Sequence, residues 1–458
     1  MKIKALAKLL LEENRGNAEQ LPKSLIDWLT QPLGRFFKIE AVAGIMLLTF
    51  TLLALYLANS EFSSQFAALW KVSVGFSVGN FTFTRSLHAW INDAGMTFFF
   101  FLIALELKRE LVLGELRKPR LALLSVSAAA GGMIIPATIY LFLQFGETGQ
   151  NGWGTVMATD TAFVIGCLAL LGKRIPKSLR VFMLSLAIVD DLGAIIVVAL
   201  GYGNALNWFF LGYALIGFVV IKFMSSLGVR SLPLFFAVGF IIWLLIDTTG
   251  IHPTVTGVIL GLMTPTSRWV SDSKLHDIVS AIWSPLAKKY KNNTLLHTRL
   301  LKTAEAAARE ALSPVERLEI LLHPWVGFVV MPMFAFANAG IPLNNQDMPM
   351  SILLAVFFSF ILGKPAGICL FSWVAIQTKL AERPADLTWG LIFAGSILAG
   401  IGFTMAIFIA NLAYESEQIN AAKSGVLTAS LFSSFVGIAL LIFITRKNKT
   451  ARTQTRRL

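Results

Sequence analysis

A few ionisable residues stand where ionisable residues are expensive. Asp190 and Asp191 lie between the apolar runs VFMLSLAIV and LGAIIVVALG, Asp160 lies in VMATDTAFVIG flanked by Thr159 and Thr161, and Lys364 lies in FSFILGKPAGICLF. If these runs cross a bilayer, each charge near the centre costs at least about 2.5–3.5 kcal/mol and needs a compensating partner. Neighbouring helical residues point about 100° apart, so the paired aspartates cannot serve one partner in the same way. One reading gives Asp190 to Lys364 as a buried ion pair and leaves Asp191 facing a water-filled approach where it holds a cation. Two close carboxylates repel and both lose hydration, so a proton and a small hard cation compete for the same oxygens. Any one of these residues alone also reads as a helix cap or as a carboxylate protonated inside a bundle. The adjacent pair, with a complementary lysine elsewhere, favours an ion or proton site.

The elements that hold these groups follow from composition. The chain has 458 residues, 56% hydrophobic and 14% charged, with 36 Phe, 11 Trp and a mean hydropathy of +0.70. Soluble proteins carry about 25% charged residues, so a cytosolic enzyme, a disordered chain and a collagen-like chain are excluded, and lipid is the expected solvent. Cys167 and Cys369 sit singly in apolar blocks and offer neither a disulfide framework nor a CxxC metal site. Spans are expected near 41–58, 92–107, 121–144, 154–171, 181–201, 208–224, 233–247, 252–264, 321–341, 350–375, 389–413 and 423–445, an all-α polytopic membrane protein of about twelve helices. With the N-terminus in the cytoplasm, the loops 145–153, 202–207, 248–251, 342–349 and 414–422 fall outside, and none contains Lys or Arg. The opposite loops carry Arg117, Lys118, Arg120, Lys173, Arg174, Lys177, Arg180, Arg230, Lys379 and Arg383, with Arg446, Lys447 and Lys449 after the last span. This is the positive-inside pattern; it places both termini in the cytoplasm and explains the net charge of +13 without nucleic acid. The first forty residues are mixed and charged and show no cleavable signal.

The organisation expected is a basic N-terminal segment over 1–40, a transporter domain over 41–445 and a basic tail over 446–458. Within the external loop 59–91, residues 72–84 alternate around Gly79 and Asn80 and read as a two-stranded hairpin, which needs something to pair with: a second copy of the chain or its own loops. The insert 265–320 carries Leu275, Ile278, Val279, Ile282 and Trp283 at helical spacing and reads as a helix on the cytoplasmic face, a spacer or a regulatory element. Pro136, Pro332 and Pro365 are expected to interrupt spans, and AGIGFTMAIF, with Gly400, Gly402 and Thr404, is too glycine-rich for an unbroken helix. The TDT segment of the fourth span and the GIGFT segment of the eleventh read as matching members of two halves. Asp93 and Glu106 mark the ends of the second span with Glu110 just beyond, and read as interfacial charges. His252 reads as a cap or a sensor.

ATDTAF at 158–163, LAIVDDLGAI at 186–195, LHPWVGFVVMPMFAFANAGI at 322–341, GKPAGI at 363–368 and GIGFTMAIFIA at 400–410 resemble the NhaA sodium/proton antiporters of bacterial inner membranes, over about residues 40–445. That family is itself a standard instance of transporters with inverted repeats and interrupted helices at the ion site. The resemblance implies two crossing broken helices, no cofactor, and transported sodium or lithium exchanged for protons. It makes Asp190 and Asp191 the sodium and proton ligands, with Asp191 principal. It sets Asp160 and Lys364 against the half-helix ends, has Thr159 lend an oxygen, and links Glu106, Glu110 and His252 to the response to pH. The hairpin is implied to be a homodimer contact. The insert of roughly fifty residues, longer than the loop usual in the family, and Pro253 after His252 depart from the pattern.

These implications amount to electrogenic, pH-regulated secondary exchange with no nucleotide; the chain has no GxxxxGK[ST] loop. A sodium-coupled solute symporter of similar fold is the main alternative. It needs a further polar pocket, and the sequence offers no intramembrane Asn, Gln or Arg cluster beyond Asn338. An intramembrane aspartyl protease needs aspartates from separate helices and a GxGD sequence, which does not occur. A passive channel predicts flux without coupled proton movement.

Overall fold

The computed structural model describes residues 36–79, 81–112, 114, 119–203, 206–229, 231–267, 302, 312–342, 348–415 and 417–455. The expected interfacial helix over 275–283 and the N-terminal segment before residue 36 lie outside the described residues. The rest is helical apart from one hairpin. In chain order the elements are α1 (Phe36–Ala58), α2 (Ser63–Lys71), β1 (Ser73–Val78), β2 (Phe81–Ser86), α3 (Leu87–Val112), α4 (Pro119–Leu143), a 3-10 segment (Gln150–Val156), α5 (Thr161–Leu171) and α6 (Lys177–Gly201). There follow α7 (Trp208–Ser226), α8 (Leu232–Thr248), α9 (Thr254–Met263), α10 (Pro314–Asn338), α11 (Met350–Gln377), α12 (Trp389–Leu398), α13 (Phe403–Ala413) and α14 (Ile419–Thr455).

Among the described residues eight helices are long and apolar enough to cross a membrane, or up to ten if two bent pairs, α1 with α2 and α12 with α13, each count as one span. Each apolar run read from the sequence contains a helix, but α8 has 17 residues and α9 only 10. At 1.5 Å per residue α9 covers roughly 15 Å, about half of a hydrocarbon core. The outer surface is apolar: Phe142 is 82% exposed and Phe435 78%, which is tolerable only against lipid.

The prolines do not interrupt the spans, contrary to expectation. α4 runs past Pro136 without a break, and ahead of Pro332 and Pro365 the helix widens into π turns at Val326–Val330 and Ser359–Gly363 and then continues. A proline removes one N–H and crowds the carbonyl four residues back, and a wider turn relieves that crowding locally. The true breaks fall at residues 157–160 and 399–402, the polar TDT and glycine-rich GIGFT segments.

Small residues let the helices close around these breaks. A Cβ on Gly363 of α11 would lie 2.7 Å from the Cα of Pro136 in α4, and one on Gly131 of α4 would strike the carbonyl of Gly367. Membrane helices pack mainly by such close contacts, because lipid removes the hydrophobic drive between them.

The hairpin is present as expected, with β1 and β2 antiparallel and Phe76 opposite Phe83, and β2 extending to Ser86. Gly79 turns at φ +60, a conformation that suits glycine. Within the chain the hairpin is anchored by Trp90 Nε1, which donates to Val74 O at 2.8 Å, and by Arg85, which pairs with Asp93 of α3 and Asp247 of α8. At the other face, α10 starts inside the stretch read as insert: Ser313 and Glu316 form a reciprocal capping box just ahead of its hydrophobic run.

Candidate functional site

The two breaks lie side by side and satisfy each other's backbone. The N–H of Asp160 donates to Ile401 O at 2.7 Å, and Thr159 Oγ1 donates to Ala399 O at 2.9 Å. The Asp160 carboxylate then meets the starts of two helices. Its Oδ1 accepts from the N–H of Phe163 in α5 at 3.0 Å, and its Oδ2 accepts from the N–H of Thr404 in α13 at 3.0 Å and from the Thr404 hydroxyl. Helix N-termini carry unsatisfied N–H groups and partial positive charge, so one buried carboxylate offsets both ends. The opposite sign appears at the carbonyl end of the 3-10 segment. Lys364 Nζ, fully buried on α11, donates to Met157 O there, to Thr159 Oγ1 at 2.9 Å and to Asp190 Oδ2 at 2.8 Å.

Gly400 and Gly402 keep the second break tight. A Cβ on Gly400 would lie 2.6 Å from Ser433 Oγ, and one on Gly402 would run into the Phe360 ring. No side chain fits at either position without moving its neighbour.

Asp190 and Asp191 sit on consecutive positions of α6, each 1% exposed. As the helical angle demands, they have different partners: Asp190 Oδ2 faces Lys364, while Asp191 Oδ2 accepts from Thr161 Oγ1 at 2.7 Å. The Oδ1 atom of each is buried with no hydrogen-bond partner among the described residues. A buried carboxylate oxygen without a donor is costly, and oxygens of this kind suit a hard cation or a proton.

The remaining expected residues form separate groups. Glu106 Oε1 lies 3.6 Å from His323 Nδ1, and Arg109 bridges Glu110, at 3.2 Å, to the buried Glu319 of α10. Sequence reasoning found the two α3 acids but not Arg109, Glu319 or His323. Their signal, charges near the ends of apolar runs, does not stand out from ordinary interfacial charge. His252 Nδ1 is 2.8 Å from Thr254 Oγ1, its Nε2 is 3.6 Å from Asp93, and its ring meets Phe408 of α13 edge-on at 5.4 Å. Asp93 is drawn into a mostly buried network with Arg85, Asp247 and His252, partners the sequence did not signal.

The sequence shows no polar cluster beyond Asn338, yet Asn338 Nδ2 donates to Asn92 Oδ1 at 2.8 Å, and its Oδ1 accepts from Asn411 Nδ2 at 2.6 Å and lies 3.0 Å from His88 Nε2. These residues come from α3, α10 and α13, far apart in sequence, which hides the cluster from a linear reading. Their polar groups are largely spent on one another, so the cluster is a packed network and not a vacant pocket for an organic solute.

The family described as "Na+/H+ antiporter 1" matches residues 34–441. A protein of Vibrio vulnificus named Na(+)/H(+) antiporter NhaA 2 is 59% identical over 437 residues, covering 95% of this chain and 98% of that one. Na(+)/H(+) antiporter NhaA of Rhizobium meliloti is 54% identical over 430 residues, covering 94% and 98%. Na(+)/H(+) antiporter NhaA 3 of Acidiphilium cryptum is 52% identical over 438 residues, covering 96% of each. The paired carboxylates, the two adjoining breaks and this match along nearly the whole sequence agree: the chain belongs to the Na+/H+ antiporter 1 family.

Proposed function

We propose that this chain exports sodium or lithium across a bacterial inner membrane in exchange for protons, with Asp191 as principal ligand and Asp190 beside it. The observation that carries the reading is the pair of buried Oδ1 atoms without hydrogen-bond partners among the described residues. Oxygens so deep are stabilised by a proton or by a cation, and exchange consists of alternating the two. The relatives named sodium/proton antiporters support the choice of ions. Asp160 and Lys364 offset the ends of two broken helices that cross at the site, and Gly400, Gly402 and Thr404 shape the second of them. Thr159 serves here through Lys364.

In the cycle, Asp191 releases its proton toward the cytoplasm, sodium takes its place, the helices reorient and external protons displace the ion. More than one proton per sodium carries net positive charge inward, and an inside-negative potential then drives the cycle at about 2.3 kcal/mol per charge per 100 mV. No cofactor or nucleotide takes part, and no covalent bond is made. Acid silences exchange, because a protonated pair cannot receive the ion.

The architecture that goes with this reading is twelve spans over 41–445 in inverted repeats, both termini in the cytoplasm, the hairpin outside and the stretch near 265–320 inside. The distribution of Lys and Arg supports that orientation. The hairpin 72–84 serves as the contact of a homodimer, supported by a sheet that has only two strands among the described residues. Glu106, Glu110 and His252 tune the response to pH; the proximity of Glu106 to His323 and of His252 to Asp93 supports it.

The test is proton movement in inverted vesicles on adding sodium, lithium or potassium, with the intact protein and with Asp191→Asn. Sodium and lithium should release protons from acidified vesicles, and the variant should not. Retained exchange in Asp191→Asn rejects the site; a response to potassium but not sodium rejects the substrate.

A further inference from the structure

The family resemblance offers the Thr159 hydroxyl as an ion ligand, but in the structure that hydroxyl is already engaged. Thr159 is spent on both sides, donating its proton to Ala399 O at 2.9 Å and accepting from Lys364 Nζ at 2.9 Å. Lys364 is fully buried, and its contact leaves Thr159 Oγ1 a single lone pair while the hydroxyl proton is held by Ala399 O. Thr161 is placed differently. It is the first residue of α5, and its Oγ1 donates to Asp191 Oδ2 at 2.7 Å. Among the described residues no donor reaches its lone pairs, and the partnerless Oδ1 of Asp191 belongs to the same carboxylate.

We propose that Thr161, rather than Thr159, supplies the hydroxyl oxygen of the cation site. The inference rests on the reading of Asp191 as the principal ligand. With the site empty, the hydroxyl proton points at Asp191 and fixes the carboxylate's orientation. When sodium or lithium arrives, rotation about the single C–O bond moves that proton aside and presents a lone pair to the ion. A hard cation gathers oxygen ligands, and here the hydroxyl adds one without adding charge. The position also matters electrostatically. A cation at the start of α5 faces partial positive charge, so neutral oxygens beside the carboxylates are needed to hold it there.

The experiment compares Thr161→Val, Thr161→Ala, Thr161→Ser and Thr159→Val in the full chain, reading sodium-driven exchange in inverted vesicles and sodium binding to the purified protein by calorimetry. Loss of one hydroxyl ligand to a charged centre should raise the sodium concentration for half-maximal exchange about tenfold in both the Val and Ala variants, with the maximal rate within about twofold. The calorimetric affinity should fall in parallel. Thr161→Ser, which keeps the oxygen, should return both to within about twofold of the intact protein. Thr161→Ala only removes atoms, so it answers the question even if the β-branched valine packs badly. Unchanged half-saturation in the Ala variant overturns the proposal, as does a tenfold rise confined to Thr159→Val. A fall in maximal rate with unchanged affinity also overturns it, since that marks a structural role. Asp191→Asn is run in parallel: if it still exchanges, the site reading itself fails, whereas if it is silent while Thr161→Ala binds normally, only the assignment of the threonine fails.

Discussion

Replacing Lys364 by methionine isolates the electrostatics of the site from its packing. Methionine has a similar length and no charge, so the space between α4 and α11 stays filled. The substitution removes a fully buried ammonium together with its contacts to Asp190 Oδ2 at 2.8 Å, Thr159 Oγ1 at 2.9 Å and Met157 O. Breaking one side of a buried ion pair costs about 3–5 kcal/mol, because the other charge stays behind without compensation. That is a large share of the roughly 5–15 kcal/mol by which a domain is stable. Asp190→Asn should be costly for the mirror-image reason. The double variant Lys364→Met/Asp190→Asn strands neither charge, so its loss should fall short of the sum of the single losses by at least about 1.5 kcal/mol, within the range for residues in direct contact. The assay is unfolding of the purified protein in mixed micelles with increasing SDS. If the single losses add to within about 0.5 kcal/mol, or if Lys364→Met alone is as stable as the intact chain, the pair does not stabilise the site and the reasoning fails.

Other substitutions test other parts. Gly402→Ala forces a methyl group against the Phe360 ring and should cost about 1–3 kcal/mol with loss of exchange, while Gly212→Ala in α7, where a Cβ meets nothing within 4 Å, should be silent; equal behaviour would show that the second break is not tight. Asp160→Asn keeps an acceptor but removes the charge between the starts of α5 and α13, and should lower stability by about 1–2 kcal/mol in the same micelle assay; an unchanged midpoint would mean the helix ends need no counter-charge. Substituting residues 74–84 with a short polar linker, leaving Arg85 in place, should give a monomer by native mass spectrometry that still exchanges; a persisting dimer would move the interface elsewhere. Lowering the pH should abolish sodium-driven proton release in the intact protein, and release that persists in acid would contradict competition at shared oxygens.

The intramembrane charges were legible because bilayers make such residues rare, so Asp160, the aspartate pair and Lys364 stood out against apolar runs. The breaks were legible for a related reason: TDT and GIGFT expose backbone that a helix would otherwise satisfy. Prolines misled, since a π turn absorbs a missing N–H without ending the span, and whether a helix widens or breaks depends on its neighbours. The division of labour between Thr159 and Thr161 was not legible either. They flank Asp160 on either side, and only the non-helical break at 158–160 sends one hydroxyl to Lys364 and the other to Asp191. Asn92, Asn338 and Asn411 meet only in three dimensions, and each alone is an unremarkable amide in an apolar run.

Exchange at this site requires one set of oxygens to serve both ions. Calorimetric titration of sodium into the purified protein, repeated in buffers of different ionisation enthalpy, counts the protons released per ion bound. Proton release should accompany each sodium in the intact chain, with neither binding nor release in Asp191→Asn. Sodium binding that releases no proton, or release that survives in the variant, would contradict it.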